Sequence, residues 1–135
     1  VLVRDNTFET PGAAILIEGD SNYWFESGAT RHIVIEGNRF HQCAYVSAWG
    51  KAPIQVSPSA LVWEKDRRYH QYLEVRGNVF QCCDDRLVNA VNLKKLVFLD
   101  NKIERTTVFE PIKGQALELD GVLEVETDIN KEQQI

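Results

Sequence analysis

The chain contains no methionine and only four prolines in 135 residues. With no initiator residue, and with Val1 already inside a strand pattern, it reads as a stretch excised from a longer protein. Any leader peptide of that parent would precede Val1. No run of about 18 apolar residues occurs, so no transmembrane helix is expected. Positive charge is in the minority: 15 Lys and Arg stand against 20 Asp and Glu, for a net charge of -5, which argues against nucleic acid as a partner. The three cysteines match no zinc spacing, and His32, His41 and His70 fall at unrelated places, so no metal site is expected. No nucleophile elbow, phosphate loop or dinucleotide fingerprint is present, and no cofactor is expected.

What the chain does have is a repeat. Val1–Phe8, Ile33–Phe40, Leu73–Phe80 and Leu96–Ile103 superimpose without a gap as apolar-x-apolar-x-(Gly/Asp)-Asn-x-(Phe/Ile). The Asn column is Asn6, Asn38, Asn78 and Asn101, with spacings of 32, 40 and 23 residues. Repeats of this length mark a solenoid, and alternation of apolar residues at every second position marks strands. The fold expected is all-β: a right-handed parallel β-helix of about four coils. Asn tolerates the left-handed backbone region and suits a corner, and stacked Asn side chains can hydrogen-bond as a ladder. Phe8, Phe40, Phe80 and Ile103 turn inward as an apolar ladder. The outward column Arg4, Glu36, Arg76 alternates in sign, which suits in-register strands about 4.8 Å apart.

A second strand follows each corner: Ala14–Ile17, Pro53–Val56, Leu87–Ala90 and Ala116–Leu119. The return connections vary in length. Those over 20–31 and 57–71 are long, whereas 92–95 is minimal, and variable loops on one side of a solenoid are where binding surfaces are built. Asp120-Gly121 resembles a hairpin turn, but a two-residue loop would place Glu124 opposite Leu117 on the buried face. A bend at Gly121 followed by one more short strand fits better. Residues 1–127 are therefore assigned to the parallel coils and 128–135 to a polar tail. Cys43 and Cys83 each lie five residues after a repeat Asn and are expected to stack as small buried residues, with a disulfide as the alternative. Asp84-Asp85 reads as a solvated turn capping backbone N–H groups.

Two clusters carry candidate chemistry. Glu18 to Gly28 gathers Glu18, Asp20 and Glu26 with Tyr23, Trp24 and Phe25 where a strand enters a long loop. Aromatic faces stack on sugar rings, while carboxylates bond hydroxyls or move protons. The competing explanation is that the aromatics only pin the loop. Trp49-Gly50-Lys51 forms the second cluster, inserted between strands, with Trp49 either a groove wall or a loop anchor. Tyr23, Trp24, Trp49 and Lys51 are the candidate substrate contacts.

The run Thr10–Asp20 followed by Tyr23-Trp24-Phe25-Glu26-Ser27-Gly28, His32–Phe40 and Cys43 resembles the bacterial α-1,3-galactosidases of glycoside hydrolase family 110. The resemblance continues through Val79-Phe80 to Asn101-Lys102-Ile103. It implies the C-terminal part of the catalytic β-helix of a secreted inverting hydrolase that removes terminal α-linked galactose. Its two carboxylates should stand about 6.5–9.5 Å apart to leave room for water. Asp20 and Glu26 are the candidate acids in this chain; otherwise the pair lies before Val1. The resemblance places the parent in the periplasm, at the cell surface or outside the cell, with a glycan as its partner.

The fragment alone is expected to be inactive. The alternative function is a non-catalytic β-helix module for carbohydrate binding or cell-surface structure. An exposed first coil also predicts a homodimer through the N-terminal strands.

Overall fold

The computed structural model describes residues 1–19 and 28–129. Its strands are β1 (Leu2–Arg4), β2 (Thr7–Thr10), β3 (Ile15–Ile17), β4 (Ile33–Glu36), β5 (Arg39–Cys43), β6 (Ile54–Val56), β7 (His70–Arg76), β8 (Val79–Gln81), β9 (Val88–Leu99), β10 (Lys102–Ile103) and β11 (Leu117–Thr127). The helical element among the described residues is a single 3-10 turn at Ser47–Trp49. The chain is thus all-β, and every strand pairing is parallel.

The strands form two sheets. One runs β1-β4-β7-β9-β6-β3, with β11 also on β9; the other runs β10-β8-β5-β2. β9 joins two sets of neighbours because it turns a corner partway along. Its first part pairs with β6 and its second with β7, and between them Asn92 takes a left-handed φ of 58°. β11 follows the same path, with Gly121 at φ 67° as its corner. Val122 then pairs with Leu93 in parallel, so the chain bends at Gly121 without forming a hairpin. These corners curl the larger sheet around the interior.

That interior is built in columns. Ile33 pairs with Leu73 and Leu73 with Leu96; Ile35 pairs with Val75 and Val75 with Phe98. All six are buried. A third column runs Ile54, Val88 and Leu117. Phe40 lies between Phe8 and Phe80, with ring centroids 5.3 and 4.8 Å away, and Phe98 tilts against Phe80 at 5.9 Å. Phe40 and Phe80 are fully buried. Phe8 and Ile103, at the two ends of this stack, are half-buried.

The Asn column is continuous. Asn6 Nδ2 donates to Asn38 Oδ1 at 3.1 Å, Asn38 Nδ2 to Asn78 Oδ1 at 3.1 Å, and Asn78 Nδ2 to Asn101 Oδ1 at 3.0 Å. Each acceptor oxygen also takes the backbone N–H of the preceding Asn at 2.9 Å. The second amide hydrogen goes to a strand carbonyl, that of Val3, Ile35 or Val75. Corner backbone that strand pairing leaves without partners is satisfied by side chains in this way. Just before each Asn, Asp5, Gly37, Gly77 and Asp100 all have φ between 57° and 65°, the left-handed conformation that Gly and Asp tolerate. On the outer surface Arg4 reaches Glu36 at 3.5 Å, and Arg76 reaches Glu74 at 3.5 Å and Asp100 at 3.3 Å.

The cysteines do not stack as their spacing suggested. Between the pairs Phe8–Phe40 and Thr10–Cys43 the register shifts by one residue, and Gln42 takes a φ of 52°. β5 therefore carries a bulge. This extra residue makes Cys82, not Cys83, the counterpart of Cys43. Cys43 Sγ donates to the Phe8 carbonyl at 3.4 Å and Cys82 Sγ to the Phe40 carbonyl at 3.5 Å. Cys83 turns instead to Gln42 Oε1 at 3.2 Å and Thr106 Oγ1 at 3.1 Å. All three are free and buried.

Asp84 also departs from a solvated turn. It is buried against Arg86 and accepts the Ile112 N–H at 2.8 Å. Arg86 in turn donates to the Ala44 carbonyl at 3.1 Å, so the pair clips 104–116 onto the preceding strands.

Candidate functional site

Asp20, Tyr23, Trp24 and Glu26 lie outside the described residues. The chain on either side of them is held by neighbouring segments. The Gly19 carbonyl accepts the Ser59 N–H at 2.9 Å and its hydroxyl at 3.2 Å. Gly19 has a φ of 137°, and a Cβ there would stand 2.5 Å from the Tyr69 ring, so both conformation and space call for glycine. On the far side, His70 Nδ1 accepts the Thr30 N–H at 3.1 Å and lies 2.8 Å from its hydroxyl. His70 is fully buried, and desolvation keeps its pKa below the ordinary histidine value, offset in part by the nearby Glu18 carbonyl. It is held neutral, with Nδ1 as acceptor.

Trp49 and Lys51 are brought together. Both line a cleft of about 230 Å³ with Ala13, Leu16, Ser47 and Gln55. The segment carrying them docks backbone to backbone on the turn after β2. Ala44 N–H donates to the Thr10 and Gly12 carbonyls at 3.1 and 2.9 Å, Val46 N–H to Pro11 at 3.0 Å, and Ala13 N–H to Trp49 at 3.3 Å. Two glycines permit this approach. A Cβ on Gly12 would stand 2.6 Å from the Trp49 carbonyl oxygen, and one on Gly50 would stand 2.4 Å from the Ala13 nitrogen. Gln55 closes one side, accepting the Lys51 N–H at 2.8 Å and donating to Ser57 Oγ at 3.2 Å. The Trp49 side chain stays 65% exposed. It is therefore not a buried anchor: the backbone anchors this segment, and the indole faces solvent.

A second, shallower cleft of about 200 Å³ lies under 57–69, lined by Val62, Trp63, Arg68 and Tyr69. Arg68 sits 5.4 Å from the Trp63 ring centroid and donates to the Gly121 carbonyl at 2.5 Å. Trp63 falls outside every periodic pattern of the sequence. Its signal is its partner, Gly121, whose missing side chain leaves room for the indole. Among the other ionisable groups, the neighbouring Cys82 thiol and burial push the Cys43 thiol up. Tyr72 donates to Glu74 at 2.6 Å; ionisation would forfeit that hydrogen bond, and this, with desolvation and the adjacent carboxylate's charge, pushes Tyr72 up to about 12.

No protein-family model matches the chain. Among curated proteins it is 36% identical to α-1,3-galactosidase A of Bacteroides fragilis over 115 residues, which is 84% of this chain and 19% of that protein. It is 33% identical over 113 residues to α-1,3-galactosidase B of Bacteroides thetaiotaomicron, covering 82% of this chain and 18% of the relative. It is 34% identical over 106 residues to α-1,3-galactosidase B of Akkermansia muciniphila, covering 76% and 13%. The chain matches a segment of the α-1,3-galactosidases. The resemblance to glycoside hydrolase family 110 is thereby borne out over most of its length, while the chain spans about a fifth or less of the α-1,3-galactosidases it matches.

Proposed function

We propose that residues 1–127 form about four coils of a right-handed parallel β-helix, followed by a polar tail over 128–135. In this reading the coils are the C-terminal part of the catalytic β-helix of a secreted glycoside hydrolase that removes terminal α-linked galactose by inversion. The observation that carries this is the 36% identity to an α-1,3-galactosidase over 84% of the chain. All-parallel pairing and an Asn ladder running across four corners support the solenoid. Asp20 and Glu26 are the candidate carboxylates, unless the pair lies before Val1, with Tyr23, Trp24, Trp49 and Lys51 as substrate contacts. The parent works in the periplasm, at the cell surface or outside the cell. The isolated chain is inactive, because it supplies at most one wall of a site, and its exposed first coil, with Val1, Val3, Ile15 and Ile17, pairs two copies into a dimer.

A chimera tests the catalytic reading. This chain replaces the matched segment of the B. fragilis enzyme, and the folded chimera is assayed on α-1,3-galactobiose with NMR detection of the first anomer released. Release of β-galactose is expected; a folded but inactive chimera, or α-galactose as first product, overturns it. Turnover of an aryl α-galactoside by the chain alone, abolished by Glu26→Gln, would overturn the inactivity. A non-catalytic carbohydrate-binding module is the second reading, favoured by one observation: among the described residues no carboxylate lines the Trp49 cleft.

A further inference from the structure

We infer that Cys43 and Cys82, free thiols in this structure, are a disulfide-forming pair that closes when the chain folds in the presence of an external disulfide and clamps β5 to the turn after β8. Such a bridge is independent of the hydrolytic reading.

Position comes first. Parallel pairing of β5 with β8 sets His41 beside Gln81. Continued without interruption, that register would bring Cys43 beside Cys83. The bulge takes one residue out of the count: Gln42 and Ala44, on either side of Cys43, have left-handed φ values of 52° and 57°. Cys43 then falls beside Cys82. Neighbours on adjacent parallel strands stand about 4.8 Å apart, inside the span that a disulfide bridges. Direction agrees with position. Each thiol leans toward the preceding strand of its sheet, Cys43 Sγ to the Phe8 carbonyl at 3.4 Å and Cys82 Sγ to the Phe40 carbonyl at 3.5 Å. The Cys82 sulfur thereby reaches the strand that carries Cys43, and it lies against the backbone N–H groups of Gln42 and Cys43. Cys83 is engaged elsewhere. Its sulfur meets Gln42 Oε1 and Thr106 Oγ1 and accepts the Phe109 N–H at 3.1 Å.

Cys43 and Cys82 are 1% and 3% exposed, so an external disulfide reaches them while the chain folds and not afterwards. One cysteine sulfur attacks the reagent and expels one thiol. The other attacks the mixed disulfide so formed and expels the second. The cysteine pair is oxidised by two electrons, the reagent is reduced, and the two protons end on the two released thiols. The bond closes the chain from 43 to 82 into a ring. It ties the foot of the segment carrying Trp49 to the turn from which Asp84 and Arg86 hold 104–116. Such a ring restricts the unfolded chain far more than the folded one.

The test is refolding of the full chain from urea with oxidised and reduced glutathione. The product should be lighter than the reduced chain by about 2 Da, the mass of two hydrogens. Tryptic peptide 40–51 should be linked to peptide 77–86. N-ethylmaleimide added in urea before reduction should label Cys83 alone, which locates the bond without a substitution. Cys83→Ser should form the same link, and Cys82→Ser should refold without it. The urea midpoint of the oxidised chain should exceed that of the reduced chain, and the difference should vanish in Cys82→Ser. Three free thiols in the refolded chain overturn the inference. So does label on Cys43 or Cys82, a bond within 77–86, or a link that survives Cys82→Ser. An oxidised chain whose midpoint is equal to or below the reduced one overturns the clamp.

Discussion

Cys82 occupies, just after β8, the place that Cys43 occupies at the end of β5. Each thiol donates to the carbonyl of a stacked phenylalanine one strand back, Phe8 for Cys43 and Phe40 for Cys82. Phe40 is thus held twice, by its ring between Phe8 and Phe80 and by its carbonyl under Cys82.

Truncating that ring should be costly. Phe40→Ala removes a fully buried side chain from the middle of the stack and should destabilise the chain by about 3–5 kcal/mol, measured by urea unfolding. The same change at half-buried Phe8 should cost clearly less. Equal losses at the two positions would mean that the stack is not the unit that matters.

Asn78 should be the least replaceable rung of the ladder. Its side chain is fully buried and makes four hydrogen bonds, to Asn38 N and Nδ2, the Ile35 carbonyl and Asn101 Oδ1. Asn78→Ala strands a buried N–H and a buried carbonyl, a loss of about 2–4 kcal/mol. Asn6→Ala, at the exposed end, should lose less than half of that.

Gly121→Ala should destabilise through two separable causes. A φ of 67° disfavours any Cβ by about 1–2 kcal/mol, and that Cβ would stand 2.3 Å from the Trp63 ring. Comparing Gly121→Ala in wild type and in Trp63→Ala by thermal unfolding separates them. The double variant should recover the clash and keep the backbone strain; full additivity would show that Trp63 does not press on this corner.

Stability should fall on mild acidification because of His70. Its folded-state pKa is lowered, chiefly by desolvation. Above the unfolded value of about 6.5 both states are neutral and its contribution is whole. As the pH drops below that, the unfolded chain takes up a proton that the folded chain refuses, so stability decreases until the pH passes the folded pKa. Protonation also destroys the Nδ1 acceptor for Thr30 N–H. Urea midpoints between about pH 7.5 and 5.5 should decline in wild type and flatten in His70→Gln; a flat wild-type profile would rule this out.

Where the pattern is local and periodic, residues and structure correspond directly. The separations of Asn6, Asn38, Asn78 and Asn101 are also the offsets of the paired strands, since a parallel pair in register must keep one offset along its length. The bulge at Gln42 was invisible because counting from Asn38 and Asn78 assumes equal strand lengths. With cysteines at both 82 and 83, the count chose the wrong one. Burial of Asp84 was hidden for another reason. Its partners are Arg86 and a backbone N–H 28 residues on, in a segment with no periodicity. The docking of Trp49 could be suspected from Gly12 and Gly50, but only the fold brings two glycines with three strands between them to the same contact.

The single-residue corner at Asn92 has a consequence for neighbouring loops. Because the chain turns there without an excursion, the space above it is vacant, and 57–69 fills it: Asn92 Oδ1 accepts the Tyr69 N–H at 2.8 Å and Nδ2 donates to the Ala60 carbonyl at 2.7 Å. The two connections share one berth. An insertion at position 92 would evict the lodger and leave Trp63 without its seat on Gly121. Loop length on this flank is therefore a property of adjacent turns taken together: one lengthens only where its neighbour stays short.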